Sequence, residues 1–188
     1  MNHLPLSLRR YLFIIWAVGL LAWAASFTLG FEFRPHSWPL FALLLALLIV
    51  TQNLPQHILS GVKASPNTIP LFIAALCLPV SAAAGLALTG VAISHVLRRR
   101  PWCETGFNAA SAALEVCVGG ALYAALAHRG GPWSAPTAAC VAAAALYLVN
   151  SSLVAGAAAL QRSLPYGCIW RAVAGAEPLD HVLMFLVA

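Results

Sequence analysis

The chain has 188 residues, of which 62% are hydrophobic and only 8% are charged, and its formal net charge is +5. A soluble domain carries about 25% charged residues, so this composition cannot cover a water-facing surface and excludes an ordinary soluble protein. The basic residues lie in short segments between apolar runs, where the positive-inside rule places them. They form no basic stripe with an aromatic platform, so we expect no nucleic-acid partner. The sequence predicts a multi-pass integral membrane protein that has the lipid bilayer as a partner.

Apolar runs separated by short polar segments predict an all-α helical bundle of about six or seven transmembrane helices, in one domain over residues 1–188. The first run, 11–30, has the length of about 20 residues that a spanning helix needs, so we interpret it as an uncleaved first helix. The other runs are 38–54, 68–97 in two parts, 105–127, 135–160 and a start near Pro178. Because the last run stops at Ala188, too short to span, we expect the chain to be truncated within a helix.

The stretch 68–97 is too long for a single spanning helix. A helix of about 30 residues would be about 45 Å long, against a hydrocarbon core of about 30 Å. A break at Pro79 puts only Arg34 and Arg129 outside, and it puts the other basic residues on the cytoplasmic side. These are Arg9, Arg10, Lys63, Arg98, Arg99, Arg100, Arg162 and Arg171. The positive-inside rule therefore predicts a tight helical hairpin at Pro79, a cytoplasmic N-terminus and a location in the bacterial cytoplasmic (inner) membrane.

The polar segment 52–67 leaves two interpretations open. The short apolar segment after it reaches only about 16 Å as a helix, so 52–67 could fill the remaining depth beside a cavity, where non-helical backbone is tolerated. A short, proline-interrupted segment of this kind also indicates a binding site. The alternative is a cytoplasmic loop followed by a short helix.

Four polar residues are candidates for a ligand-binding site within the bundle. Glu115 lies roughly mid-membrane, where an ionised carboxylate costs several kcal/mol unless it is paired or reached by water. Asn108 shares its helix face, Asn150 lies in the sixth run, and His95 lies near the end of the fourth. We expect these side chains to line one polar pocket for a small molecule. The alternative is that the asparagines join helices by hydrogen bonds worth about 0.6 kcal/mol, with Glu115 a protonated structural carboxyl and His95 solvated.

The sequence holds no signature of catalysis or of metal binding. It contains no GxSxG, HExxH, Walker or dinucleotide-binding motif, and its five cysteines include no CxxC pair. We therefore expect no catalytic residue, no metal and no cofactor. Abundant Gly and Ala in the later runs predict close helix packing, and we do not interpret them as a dimer motif. A homodimer through transmembrane helices is a separate hypothesis.

Several features between about 60 and 170 carry a family resemblance. They are a polar lead-in before a short helix, the turn near Pro79, the basic cluster RRRPW at 98–102, the helix start FNAA at 107–110, and Asn150 in the sixth run. This pattern resembles the membrane-associated sensor domains (MASE type) at the N-termini of bacterial signalling proteins. Their cytoplasmic outputs are often HD-GYP phosphodiesterases, GGDEF cyclases or histidine kinases.

The resemblance implies a sensory input domain for signal transduction, which senses a small ligand or a membrane state and relays it to a cytoplasmic output. Phe107, Asn108 and Asn150 match the pattern. Leu78 stands where the family often has Gly, His95 where an acidic residue is common, and Glu115 where a small residue is usual.

A second resemblance gives an alternative function. The order of short helix, proline turn and long helix is also similar to the substrate-binding subunits of energy-coupling-factor vitamin transporters. It implies a binding subunit or carrier for a small, vitamin-like solute. A third interpretation is a structural membrane protein in which the polar residues only join helices.

Overall fold

The computed structural model describes residues 5–29, 37–53, 67–127 and 134–176, which contain helices and no strand. Seven α-helices lie within these residues: α1 Leu6–Ser26, α2 Trp38–Asn53, α3 Thr68–Cys77, α4 Val80–Leu97, α5 Trp102–Ala127, α6 Ser134–Arg162 and α7 Tyr166–Ala176. A 3₁₀ turn, Phe27–Leu29, follows α1. The prediction of an all-α fold is confirmed.

Four of these helices, α1, α4, α5 and α6, are long and apolar enough to cross a membrane. The helices α2 and α3 are apolar but have only 16 and 10 residues. Six or seven spans therefore stays a prediction. Most of the segment 52–67 and the run that starts near Pro178 lie outside the described residues, as do Arg34, Lys63 and Arg129 from the charge argument.

The chain breaks and turns back at Pro79, as predicted. Leu78 is extended, with φ −112° and ψ 155°, and Pro79 is the N-cap of α4. The proline ring disfavours the helical conformation of the residue before it, which explains why α3 ends at Cys77. Thr68 at the start of α3 and His95 near the end of α4 line the same cavity, so the two helices run antiparallel.

The helix α5 lies at the centre of the bundle and packs against α1, α3, α4 and α6. Most of the residues that it buries are Ala, Gly, Ser or Thr. Where α1 crosses α5, a Cβ added to Gly19 would lie 2.7 Å from the backbone oxygen of Ala110. Gly119 likewise leaves room for Leu146 of α6. Such small residues let helix backbones approach closely and gain van der Waals contacts.

Larger apolar side chains fill the space between α2, α3 and α4 and cover the outside of the bundle. Leu48, Leu71 and Leu86 are fully buried in the main core cluster. On the outer faces of α1 and α2, Phe13 and Leu43 are each 65% exposed. The bundle thus has an alanine-rich interior around α5 and an apolar exterior.

Two long-range hydrogen bonds attach α1 to its neighbours. The hydroxyl of Tyr11 donates to the carbonyl oxygen of Leu153 on α6 at 3.0 Å. The indole N–H of Trp23 donates to the carbonyl oxygen of Ser81 on α4 at 3.1 Å. These bonds hold α1 near both of its ends.

Several helix ends meet at one end of the bundle, which we call the basic end. Arg98 Nε donates to Asn53 Oδ1 at 3.1 Å, so α4 and α2 end side by side. Arg9 and Trp102 line one groove between the starts of α1 and α5, and a second groove joins the start of α1 to the end of α6 and to α7. The basic end holds every arginine that the structure describes: Arg9, Arg10, Arg98, Arg99, Arg100, Arg162 and Arg171.

The sequence analysis did not predict α7, a short amphipathic helix at the basic end. Its Ile169 is buried against Ala155 and Ala159 of α6, whereas Cys168 and Arg171 are exposed. The helix therefore lies along the end of α6 and turns a polar face away from it.

The close contact between α1 and α5 leaves no space for a side chain at Gly19. We expect Gly19→Ala to lower the free energy of unfolding by about 1–3 kcal/mol, because the added methyl group would meet backbone atoms that have no freedom to move aside. Thermal unfolding of the purified protein, followed by tryptophan fluorescence, measures this change. Gly167→Ala is the matched control, since a Cβ there meets nothing within 4 Å. Equal stability of the two variants would contradict the packing described.

Candidate ligand-binding site

A polar cavity of about 220 Å³ lies between α3, α4, α5 and α6, beside the end of α2. Its polar lining residues are Gln52, Asn67, Thr68, His95, Asn108, Ser111, Glu115 and Asn150. The apolar remainder comes from Val91, Ala112 and Val154. Eight polar side chains of this largely apolar chain therefore surround one cavity.

The structure brings together all four residues that the sequence analysis selected. Glu115 and Asn108 lie on the cavity face of α5, His95 comes from α4, and Asn150 comes from α6. They meet because helical periodicity puts residues seven apart on one face and because α4 and α6 both pack against α5. Their role in binding a ligand stays a prediction.

Sequence reasoning missed four further polar residues of the lining. Ser111 lies three residues after Asn108 and four before Glu115, so the helical repeat could have found it. Gln52 and Asn67 belong to the segment 52–67, which one interpretation of the sequence placed beside a cavity. Neither they nor Thr68 were selected individually, because they reach the cavity through the packing of α2 and α3 on the rest of the bundle.

Glu115 lies deep in the bundle without a counterion. Its side chain is 8% exposed, and it makes no hydrogen bond or ion pair with any residue that the structure describes. Arg100 lies 3.8 Å from Glu104 at the exposed basic end, and Arg98 donates to Asn53. A buried carboxylate without a partner is strongly unfavourable, so Glu115 needs either a proton or a cationic partner that the described residues do not supply.

Two other polar atoms at the cavity lack partners. Within the described ranges, Ser111 Oγ and His95 Nδ1 are buried and make no hydrogen bond. Ser111 is only 4% exposed. Ser94, next to His95, is satisfied by donating to the carbonyl oxygen of Gly90 at 2.7 Å. Each unsatisfied buried group costs about 1–3 kcal/mol. A molecule in the cavity that formed hydrogen bonds with these groups would recover that free energy.

Unpartnered hydroxyls also occur elsewhere in the bundle. Ser81 Oγ and Ser151 Oγ are buried without a hydrogen bond among the described residues, and neither residue lines the cavity. The cavity is distinguished by the combination of open volume, an unpaired carboxyl group and amide side chains from α2, α5 and α6.

The cavity extends from the basic end towards the middle of the bundle. Gln52 and His95 lie near the ends of α2 and α4. Glu115 lies about 20 Å along α5 from its start, at 1.5 Å rise per residue. A narrow extension of about 10 Å³ continues past Glu115 between Leu146 and Tyr147 of α6. Among the described lining residues, Gln52 and His95 thus lie nearest the basic end, and Glu115 lies deeper in the bundle.

No set of metal ligands surrounds the cavity. Among the described residues, no group of three or more His, Cys, Asp or Glu side chains could hold a metal ion, and each cysteine is a free thiol. The side chains present are hydrogen-bonding groups around one carboxyl group, which suits recognition of a small polar molecule.

Comparison of the chain with family models, with curated proteins and with solved structures finds no match. The function proposed below therefore rests on the geometry of this cavity and on the arrangement of the helices.

Replacing Glu115 should separate its effect on stability from its effect on binding. We expect Glu115→Met to raise the unfolding temperature of the ligand-free protein, because an apolar side chain of similar size removes a buried polar group that has no partner. Thermal unfolding of the purified protein measures the shift. Glu104→Gln, at an exposed position, is the control and should change it little. A clear loss of stability in Glu115→Met would show that the carboxyl group already has a stabilising partner.

Proposed function

We propose that the chain is a multi-pass protein of the bacterial inner membrane with a cytoplasmic N-terminus. Three observations support this: four helices of spanning length, large apolar side chains exposed on α1 and α2, and the position of all the described arginines at one end of the bundle. Lipid would cover the apolar faces, and the basic end would face the cytoplasm. A homodimer through transmembrane helices stays a prediction.

Within this membrane setting, we propose that the bundle is a sensory input domain whose cavity binds a small polar ligand. The observation that carries the proposal is the convergence of Glu115, Asn108, Asn150 and His95 on one cavity. Binding there would contact α4, α5 and α6 together, and α5 also packs against α1. A ligand that binds one packing arrangement more tightly than another shifts the population towards it, and the basic end is where a cytoplasmic output would detect that shift.

The second candidate is a binding subunit or carrier for a small solute. It is favoured by the short helix α3, the turn at Pro79 and the longer helix α4, which resemble vitamin-binding transporter subunits, and by the cavity at the start of α3. Both candidates need ligand binding, and they differ in whether the ligand crosses the membrane.

The proposed orientation predicts the labelling of Cys168, which is exposed on α7 at the basic end. In a variant that keeps only this cysteine, a membrane-impermeant maleimide should leave intact spheroplasts unlabelled and should label inside-out vesicles. Labelling after detergent treatment is the control for thiol reactivity. Labelling of intact spheroplasts would reverse the proposed orientation.

Ligand binding predicts stabilisation of the purified protein by one class of small polar metabolite. A ligand at 100 times its Kd should stabilise the fold by about 2.7 kcal/mol, and Asn108→Ala and Asn150→Ala should remove the effect. The measurement is the unfolding temperature across a panel of cationic, neutral and anionic compounds. No stabilisation, or stabilisation that persists in both variants, would contradict a ligand site in this cavity.

Proteoliposomes separate a carrier from the other possibilities. A stabilising ligand that is radiolabelled should enter vesicles containing the protein if the chain is a carrier, and should not enter them if the chain is a sensor or a binding subunit without its partner subunits. Vesicles containing Asn108→Ala give the background.

A further inference from the structure

We propose that the ligand of this cavity is a small organic monocation, whose protonated amine pairs with Glu115 and whose polar remainder lies towards His95 and Gln52. The inference rests on the proposed function, since it assumes that the cavity binds a ligand. It adds the charge and chemical class of that ligand.

The charges around the cavity favour a cation. The carboxyl group of Glu115 is buried and has no basic partner among the described residues. Among the described residues, the lining contains no arginine or lysine, and its other titratable side chain is His95, with Tyr147 beside the narrow extension. Arg98 and Arg100, which follow His95 in the chain, are at the exposed basic end. A cation would pair with the ionised carboxylate, whereas a neutral molecule would require Glu115 to be protonated, and the described lining offers an anion no arginine or lysine.

The remaining polar atoms match the hydrogen bonds of a primary ammonium group. Such a group has three N–H donors and no acceptor, so it requires three acceptors. The carboxylate of Glu115 supplies one or two of them. The amide oxygens of Asn108 and Asn150 and the unpartnered hydroxyl of Ser111 line the same cavity. Ser111 lies one helical turn before Glu115, so its oxygen and the carboxylate face the same region.

The volume favours an organic cation over a metal ion. The cavity measures about 220 Å³, whereas a water molecule occupies about 30 Å³ in the liquid. A bare monovalent ion would contact only part of the lining. A divalent ion such as Ca²⁺ takes six to eight oxygen ligands, with several carboxylates among them, and this lining has one carboxylate. A molecule of several non-hydrogen atoms would fill the space and reach the amide and imidazole groups near the basic end.

The test compares matched pairs of probes that differ in one group. Each pair contains a primary ammonium compound and its neutral alcohol: methylammonium with methanol, ethanolammonium with ethylene glycol, and 3-hydroxypropylammonium with 1,3-propanediol. The full chain is reconstituted in lipid nanodiscs, and its unfolding temperature is measured at increasing probe concentration. We expect at least one ammonium compound to raise the unfolding temperature more than its alcohol does.

Two variants show whether the effect arises at Glu115. Glu115→Gln keeps the shape of the side chain and removes its charge, so it should weaken binding of the ammonium probe at least tenfold. Glu104→Gln removes the other carboxyl group that the structure describes and should leave binding unchanged. The unfolding temperature of each variant without probe shows that it is folded.

Three results would overturn the inference: no ammonium compound exceeds its alcohol, Glu115→Gln binds the probe as the unchanged protein does, or sodium chloride gives the same stabilisation as the best ammonium compound. If neutral or anionic metabolites stabilise the protein, and Asn108→Ala and Asn150→Ala remove that effect, the cavity is a ligand site and only the charge inference is wrong. If no compound of any class stabilises the protein, the proposed function falls as well.

Discussion

The structure depends on the close packing of α5 against four neighbouring helices. A central helix can have that many neighbours only if its faces are covered by small side chains, and α5 buries mostly Ala, Gly, Ser and Thr. Gly19 and Gly119 mark the two closest approaches, to α1 and α6. Because Gly19 faces backbone atoms of Ala110 and Gly119 faces the side chain of Leu146, the interior around α5 leaves little free space into which a helix could shift. The helices around α5 therefore hold one another in place, and a shift of one is transmitted to the others.

The cavity exists where this packing is interrupted. The helix α3 has only ten residues, so it begins, at Thr68, well inside the bundle. Polar side chains from α4, α5 and α6 occupy the space beside it. Unsatisfied buried groups such as Ser111 Oγ and His95 Nδ1 cost stability, which packing elsewhere in the bundle has to offset. The close packing also determines the site. The helices around α5 hold it in place, and α5 in turn holds Glu115 in a buried position where its carboxyl group has no hydrogen-bond partner among the described residues.

Much of this arrangement follows from local features of the sequence. Apolar runs locate the long helices, and length together with charge places the break at Pro79. Helical periodicity puts Asn108 and Glu115 on one face, and the alternating direction of successive helices puts His95 and Asn150 near them. One interpretation of the segment 52–67 placed it beside a cavity, but Gln52 and Thr68 were not selected individually, because only the packing of α2 and α3 brings them there. The helix α7 was missed because its eleven residues are amphipathic and follow a proline, a pattern that resembles a polar loop. The sensory role and the number of spans go beyond what hydropathy can decide.

The shortness of α3 also bears on how such a chain would enter a membrane. Ten helical residues span about 15 Å, half of a hydrocarbon core of about 30 Å. The segment could not be stably inserted alone, since one of its ends would leave backbone groups in lipid without hydrogen bonds. It would have to be inserted together with α4, as a hairpin that turns at Pro79. The emergence of α4 from the ribosome would then decide when α3 leaves the translocon, and the site around Glu115 would be assembled only after α5 and α6 had followed.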